Sequence, residues 1–152
     1  MNTSTNTNAM HRKVLLSTIW IFVVLNYLYC DVLGLMDANL LKGFLAGNAG
    51  GIQFTQGFLL GAGILMEISM AMVLLSRVLG YRANRWANII AGVITTVVQL
   101  ASLTFGTNTM YYWFFSIIEI TSTALIVWFA WTWHNPRTTA NTEQSVLIHE
   151  KA

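Results

Sequence analysis

Charge is what this chain has least of. Asp, Glu, Lys and Arg together make up 9% of the 152 residues, against about 25% in an average soluble domain. There is one cysteine, Cys30, so no intrachain disulfide can form. In an apolar run it reads as a packed small hydrophobe. The single proline, Pro136, follows the last apolar run and closes it, because proline disfavours helix in the residue before it. No Walker loop, dinucleotide-binding glycine pattern, HExxH or nucleophile elbow occurs, so no catalytic residue is assigned and no cofactor is expected. His11, His134 and His149 are too scattered to act together as metal ligands.

What fills the space left by charge is hydrophobic: 55% of residues. Apolar runs over residues 14–35, 54–76, 86–105 and 111–133 are each about 20 residues long, enough to cross a hydrocarbon core of about 30 Å as a helix. Lipid-exposed backbone must satisfy its own hydrogen bonds, which leaves helices or closed barrels, and runs without strict alternation exclude the barrel. The expected fold is all-α, an integral membrane four-helix bundle forming one domain. Residues 1–13, rich in Asn and Thr, read as a disordered tail, and residues 136–152 as a second tail.

The few charges are placed unevenly. Arg12 and Lys13 precede the first run, Arg77, Arg82 and Arg85 lie at the second connection, and Arg137 follows the fourth run. The first connection holds only Asp37 and Lys42, and the third holds none. By the positive-inside rule both termini are cytoplasmic, N-in and C-in, which four crossings also require. The arginines read as a topology anchor in contact with anionic lipid. Nucleic-acid binding has no support. His11-Arg12-Lys13 could open a signal peptide, but the apolar run is too long and no small-residue cleavage site follows, so the first helix is expected to remain attached.

Local signals divide the chain further. Leu40, Leu41, Phe44 and Leu45 are spaced for a short amphipathic helical turn on the outer surface. The stretch from Gly47 to Gly51 breaks structure after it. Trp86, Trp113, Trp128, Trp131 and Trp133, with Tyr111 and Tyr112, cluster toward segment ends as an interfacial belt, and Trp20 alone lies well inside a run. Gly57 and Gly61 form a small-xxx-small spacing suited to close helix packing.

Three carboxylates, Asp31, Glu67 and Glu119, lie within the apolar runs. An Asp at the centre of a membrane helix costs about 2.5–3.5 kcal/mol on insertion scales, so such residues read as functional by default. Helical spacing puts Asn88, Gly92, Thr95, Gln99 and Ser102 on one face. It does the same for Ser116, Glu119, Ser122 and Thr123; for Gln56, Leu60, Gly63 and Glu67; and for Tyr27 and Asp31. If all four helices turn these edges inward, Asp31, Gln99 and Glu119 lie about 7–11 Å below the outer boundary, with Glu67 about 20 Å deep. The expectation is an outward-opening pocket formed by Asp31, Glu67, Gln99, Glu119, Tyr27 and Gln56. Clustered, dehydrated carboxylates favour holding a proton, and such a site suits a small cationic or polar ligand. Without His or Cys beside the acids, a transition metal is not expected. The alternative is that the acids bond to Ser, Thr and Gln and only join helices, although interhelical hydrogen bonds in membranes average about 0.6 kcal/mol.

The segment Gly63-Ile64-Leu65-Met66-Glu67, continuing through Leu74-Leu75-Ser76-Arg77 to Tyr81-Arg82-Ala83, resembles the core of DoxX-like membrane proteins. In that family a Glu-bearing helix runs into an arginine-bearing turn and then an Ala-rich helix. The usual Gly-and-Lys pattern of that family's first helix is missing, and Asp31 and Glu119 stand outside the resemblance. A neighbouring uncharacterised four-helix family is the other expectation. The resemblance implies a multi-pass protein of the bacterial cytoplasmic (inner) membrane, with redox or quinone-linked roles. The carboxylate pocket, which a docking role leaves unexplained, makes proton-responsive transport or binding the leading expectation. A non-catalytic subunit of a redox complex is the alternative, and an enzyme acting on a lipid-like substrate a weaker one. Expected partners are membrane lipid, the small ligand, and a homo-oligomer or larger membrane complex.

Overall fold

The computed structural model describes residues 3–49, 51–104 and 109–133. The described residues are almost entirely helical: α1 (Thr3–Met36), α2 (Ala38–Leu45), α3 (Gln56–Val78), α4 (Tyr81–Ser102) and α5 (Met110–Trp131), with a two-stranded hairpin of β1 (Asn48–Ala49) and β2 (Ile52–Gln53) between α2 and α3. α1 packs on α3 and α5, and α4 packs on α5 and α3.

Helix α1 meets no glycine before Gly34 and no proline, so nothing interrupts its hydrogen bonding once a turn has formed. It starts at Thr3, and helix therefore takes up positions 3–13 that composition marked as a disordered tail. The second tail and the Asn135-Pro136 stop lie outside the described residues. At the other end of α1, the Asp37 N–H bonds to the carbonyls of Leu33 and Gly34. The Asp37 carboxylate then caps α2 by accepting from the N–H groups of Asn39 (2.9 Å) and Leu40 (3.2 Å). That cap explains why the short amphipathic segment folds as a helix. Gly47 (φ 76°) and Gly51 (φ 90°) take up left-handed backbone around the hairpin, which only glycine adopts without strain. Phe54 bridges Phe44 and Phe58, with ring centroids 5.7 Å apart in each pair, and ties α2 to the start of α3.

The second connection is shorter than expected. Arg77 falls in the last turn of α3, and Arg82 and Arg85 in the first turns of α4, leaving only Leu79 and Gly80 between the helices. Gly92 marks the crossing of α4 and α5: a Cβ there would meet Val127 Cγ2 at 2.8 Å and the Thr123 carbonyl oxygen at 3.4 Å.

Apolar and polar residues are arranged for lipid. Leu28, Leu60, Leu74, Trp86 and Ile117 are among many large hydrophobics on the outside. Ser17, Ser69, Ser76, Asn84, Asn88, Thr95, Ser116 and Thr123 are buried between the helices. Backbone and polar groups away from water must find partners inside the protein, and this is the distribution that allows it. The apolar core that remains, Leu16, Trp20, Val23, Met72, Ala91, Ile126 and Trp133, lies toward one end of the assembly. Among the described residues three helices are long and apolar enough to cross a membrane: α1 over Met10–Met36, α3 and α5. α4 matches them in length, 22 residues, but carries Arg82, Arg85, Asn84, Asn88 and Gln99.

Candidate functional site

At the core end, most buried polar groups are paired across the helices. Trp20, the one tryptophan expected deep in a run, is fully buried and donates from Nε1 to Asn88 Oδ1 at 2.8 Å. The same oxygen accepts from Ser76 Oγ at 3.1 Å, while Asn88 Nδ2 donates to the side-chain and backbone oxygens of Asn84. Nearby, Arg77 Nε donates to Ser17 Oγ, which donates to the Val73 carbonyl. Helix C-termini expose carbonyls that lack intrahelical partners. Here Arg12 and Arg85 donate to the Phe129 and Trp131 carbonyls, Tyr81 to the Trp133 carbonyl, and Lys13 to the Arg77 carbonyl. Among the described residues only Ser69 Oγ and Arg85 Nε are left buried without a partner at this end, and neither belongs to an acid.

The opposite end, where the C-terminal parts of α1 and α4 meet the start of α5, differs. Gln99 Nε2 on α4 donates to Ser116 Oγ on α5 at 2.8 Å, and Ser116 Oγ donates to the Tyr112 carbonyl. Tyr112 Oη returns to α4, donating to Ser102 Oγ at 2.6 Å, and Ser102 Oγ donates to the Gln99 carbonyl. The four residues form a closed circuit that fixes α4 against α5. One turn further along α5, Glu119 is 2% exposed. Its Oε1 has no hydrogen-bond partner among the described residues. Tyr27, Cys30 and Asp31 of α1, and Tyr112, are its electrostatic neighbours. Leaving a buried polar group unpaired costs about 1–3 kcal/mol, and more when it is charged. No lysine, arginine or histidine occurs in α1 beyond Lys13 or anywhere in α5. The cluster thus presents two carboxylates with no resident cation.

Of the expected site residues, Asp31, Glu119, Gln99 and Tyr27 come together. Asp31 lies on the exposed side of the cluster and Tyr27 is half-buried. Gln56 and Glu67 do not join them. Both are exposed on α3, whose buried residues are Ser69, Met72 and Ser76, and the outer half of α3 is exposed nearly all round. The expectation that all four polar edges face inward therefore fails for this helix. Spacing alone had passed over Tyr112, which serves as a hydroxyl donor here and not only as part of an aromatic belt. Its signal was the Tyr112, Ser116, Glu119 series at steps of four and three. Among the described residues no group of three or more His, Cys, Asp or Glu is placed to hold a metal ion.

Residues 6–140, most of the chain, match the model of one protein family. The chain belongs to the family of unknown function DUF6326. No curated protein and no solved structure matched it. The match is to an uncharacterised family, as one of the two expectations from the sequence had it, and it supplies no activity for Glu119 and its neighbours to perform.

Proposed function

We propose that this membrane protein binds, and in doing so moves, a small cation at Asp31 and Glu119, with Tyr27 and Gln99 as hydrogen-bonding neighbours. The observation that carries this reading is the Glu119 carboxylate, enclosed by protein with one oxygen left without a partner. A proton or a small cation supplies what that oxygen lacks, and Asp31, on the open side of the cluster, gives the cation a first contact on entry. The Gln99–Ser116–Tyr112–Ser102 circuit holds the wall behind it.

On this reading α4 is the fourth crossing. At about 1.5 Å per residue its 22 residues reach about 33 Å. Its polar residues Asn84, Asn88 and Thr95 are buried, while Trp86, Ile90, Val93, Val97 and Leu100 form an exposed apolar outer face. Arg12, Lys13, Arg77, Arg82 and Arg85 then share one end, which the positive-inside rule makes cytoplasmic in a bacterial inner membrane. The Glu119 cluster opens at the other, outer end.

The test is proton movement in proteoliposomes carrying a trapped pH-sensitive dye, after pulses of Na⁺, K⁺ or tetramethylammonium. At least one cation is expected to drive proton exchange above that of empty vesicles, Glu119→Gln to abolish it, and Glu67→Gln to preserve it. Exchange unchanged in Glu119→Gln, or absent with all three cations, would refute the reading.

A further inference from the structure

Helix α3 turns its only carboxylate away from the rest of the chain. Its buried residues, Ser69, Met72 and Ser76, form the side that packs within the protein. At about 100° per residue, Glu67 lies about 140–180° round the helix from them, and within about 40° of Gln56, Leu60, Gly63 and Leu74. Exposure agrees with this geometry: Leu60 is 66% and Leu74 69% exposed, and a Cβ on Gly63 would meet nothing within 4 Å. α3 is among the helices long and apolar enough to cross a membrane. Hydrocarbon offers Gln56 and Glu67 no hydrogen bonds, so a face of this composition is expensive to leave against lipid.

We infer that this face of α3 is the contact with a second copy of the chain, made about a two-fold axis along the membrane normal. A membrane holds all copies the same way up, so two α3 helices meeting here run parallel and each residue faces its equivalent at the same depth. Both polar side chains on the stripe can be satisfied by their own kind. A glutamine amide both donates and accepts, and two carboxyl groups sharing a proton are joined by an O–H···O hydrogen bond. Gly63, between these two positions, has no side chain and lets the backbones approach. Such a self-matching patch is what an isologous two-fold interface requires. The stripe contains no basic residue to attract an acidic partner, and any other protein would need its own donors about 16 Å apart to match Gln56 and Glu67. The inference does not depend on the Glu119 cluster, which is built from α1, α4 and α5.

Oxidative cross-linking in proteoliposomes at low protein density tests it, in full-length chain with Cys30→Ala. Leu60→Cys and Leu74→Cys are expected to give disulfide-linked dimers, whereas Ile90→Cys on α4 and Ile117→Cys on α5 stay monomeric. All four positions are exposed, so these substitutions leave the internal packing intact. Energy transfer between labelled copies adds a second readout, with Glu67→Gln keeping the dimer and Glu67→Leu raising its dissociation constant at least tenfold. Equal cross-linking at all four positions, none at Leu60→Cys and Leu74→Cys, or an unchanged dissociation constant in Glu67→Leu would overturn the inference.

Discussion

Asn88 uses its side-chain amide fully, accepting from Trp20 and Ser76 and donating twice to Asn84. Trp20→Phe keeps most of the buried volume and removes one bond, so it is expected to cost about 1 kcal/mol in unfolding by sodium dodecyl sulfate in mixed micelles. Asn88→Ala strands donors and acceptors on three neighbours and should cost at least twice as much. Glu119 behaves oppositely. Because Oε1 has no partner to lose, Glu119→Gln should leave the unfolding midpoint equal to or above that of the native chain. A loss of more than about 1 kcal/mol in the same assay would mark the carboxylate as a structural acceptor. Spacing had placed Asn88 on a polar stripe, and Glu119 stood out as an acid in an apolar run. Their partners could not be read the same way, since a bond between helices depends on how each helix is rotated and how deep it sits.

Rotation is the property of an element that a stripe leaves open. The Gln56, Leu60, Gly63, Glu67 series correctly names residues that share a face of α3, but a second stripe of Ser69, Met72 and Ser76 lies on the opposite side and is the one that packs inward. Small hydroxyl-bearing residues allow close approach and pair with neighbouring groups, whereas Glu67 would bring an unmatched carboxylate into the Met72 region. For α4 the stripe faces inward, because Asn88, Gly92 and Thr95 are buried and Gln99 and Ser102 half-buried. Gly92 shows how tightly that face meets α5. With Val127 Cγ2 at 2.8 Å from the missing Cβ, Gly92→Ala must displace the Val127 side chain or push α4 off α5, at an expected cost of about 1–3 kcal/mol. At Gly80, the N-cap of α4, a Cβ meets nothing within 4 Å and φ is -66°; the poorer capping by Ala is offset by the smaller entropy of its unfolded chain, so Gly80→Ala should change stability by only a few tenths of a kcal/mol. Thermal unfolding of the two variants in detergent compares them directly, and similar losses would mean that the α4–α5 crossing is looser than the geometry shows.

For the whole molecule, the all-helical class and three apolar helices of spanning length were legible from run length and the scarcity of charge, because hydrocarbon permits few alternatives. Helix starts were less legible: α1 and α4 both begin before their apolar runs, at Thr3 and Tyr81, since polar residues propagate a helix that apolar packing has nucleated. Orientation across a membrane is set by the charges at the helix ends and not by the chain's own packing. Arg12, Lys13, Arg77, Arg82 and Arg85 lie at the end of the assembly opposite α2, where the first connection holds Lys42 and the capping Asp37. Leu45 in α2 and Ala83 in α4 are both exposed, so a cysteine at either position is open to a membrane-impermeant maleimide. In a Cys30→Ala background, Leu45→Cys is expected to label in intact cells and Ala83→Cys only after the membrane is opened. The reverse pattern would place the arginines outside and turn the Glu119 cluster toward the cytoplasm. Labelling of both positions from one side would mean that α3, the one helix between them, does not cross.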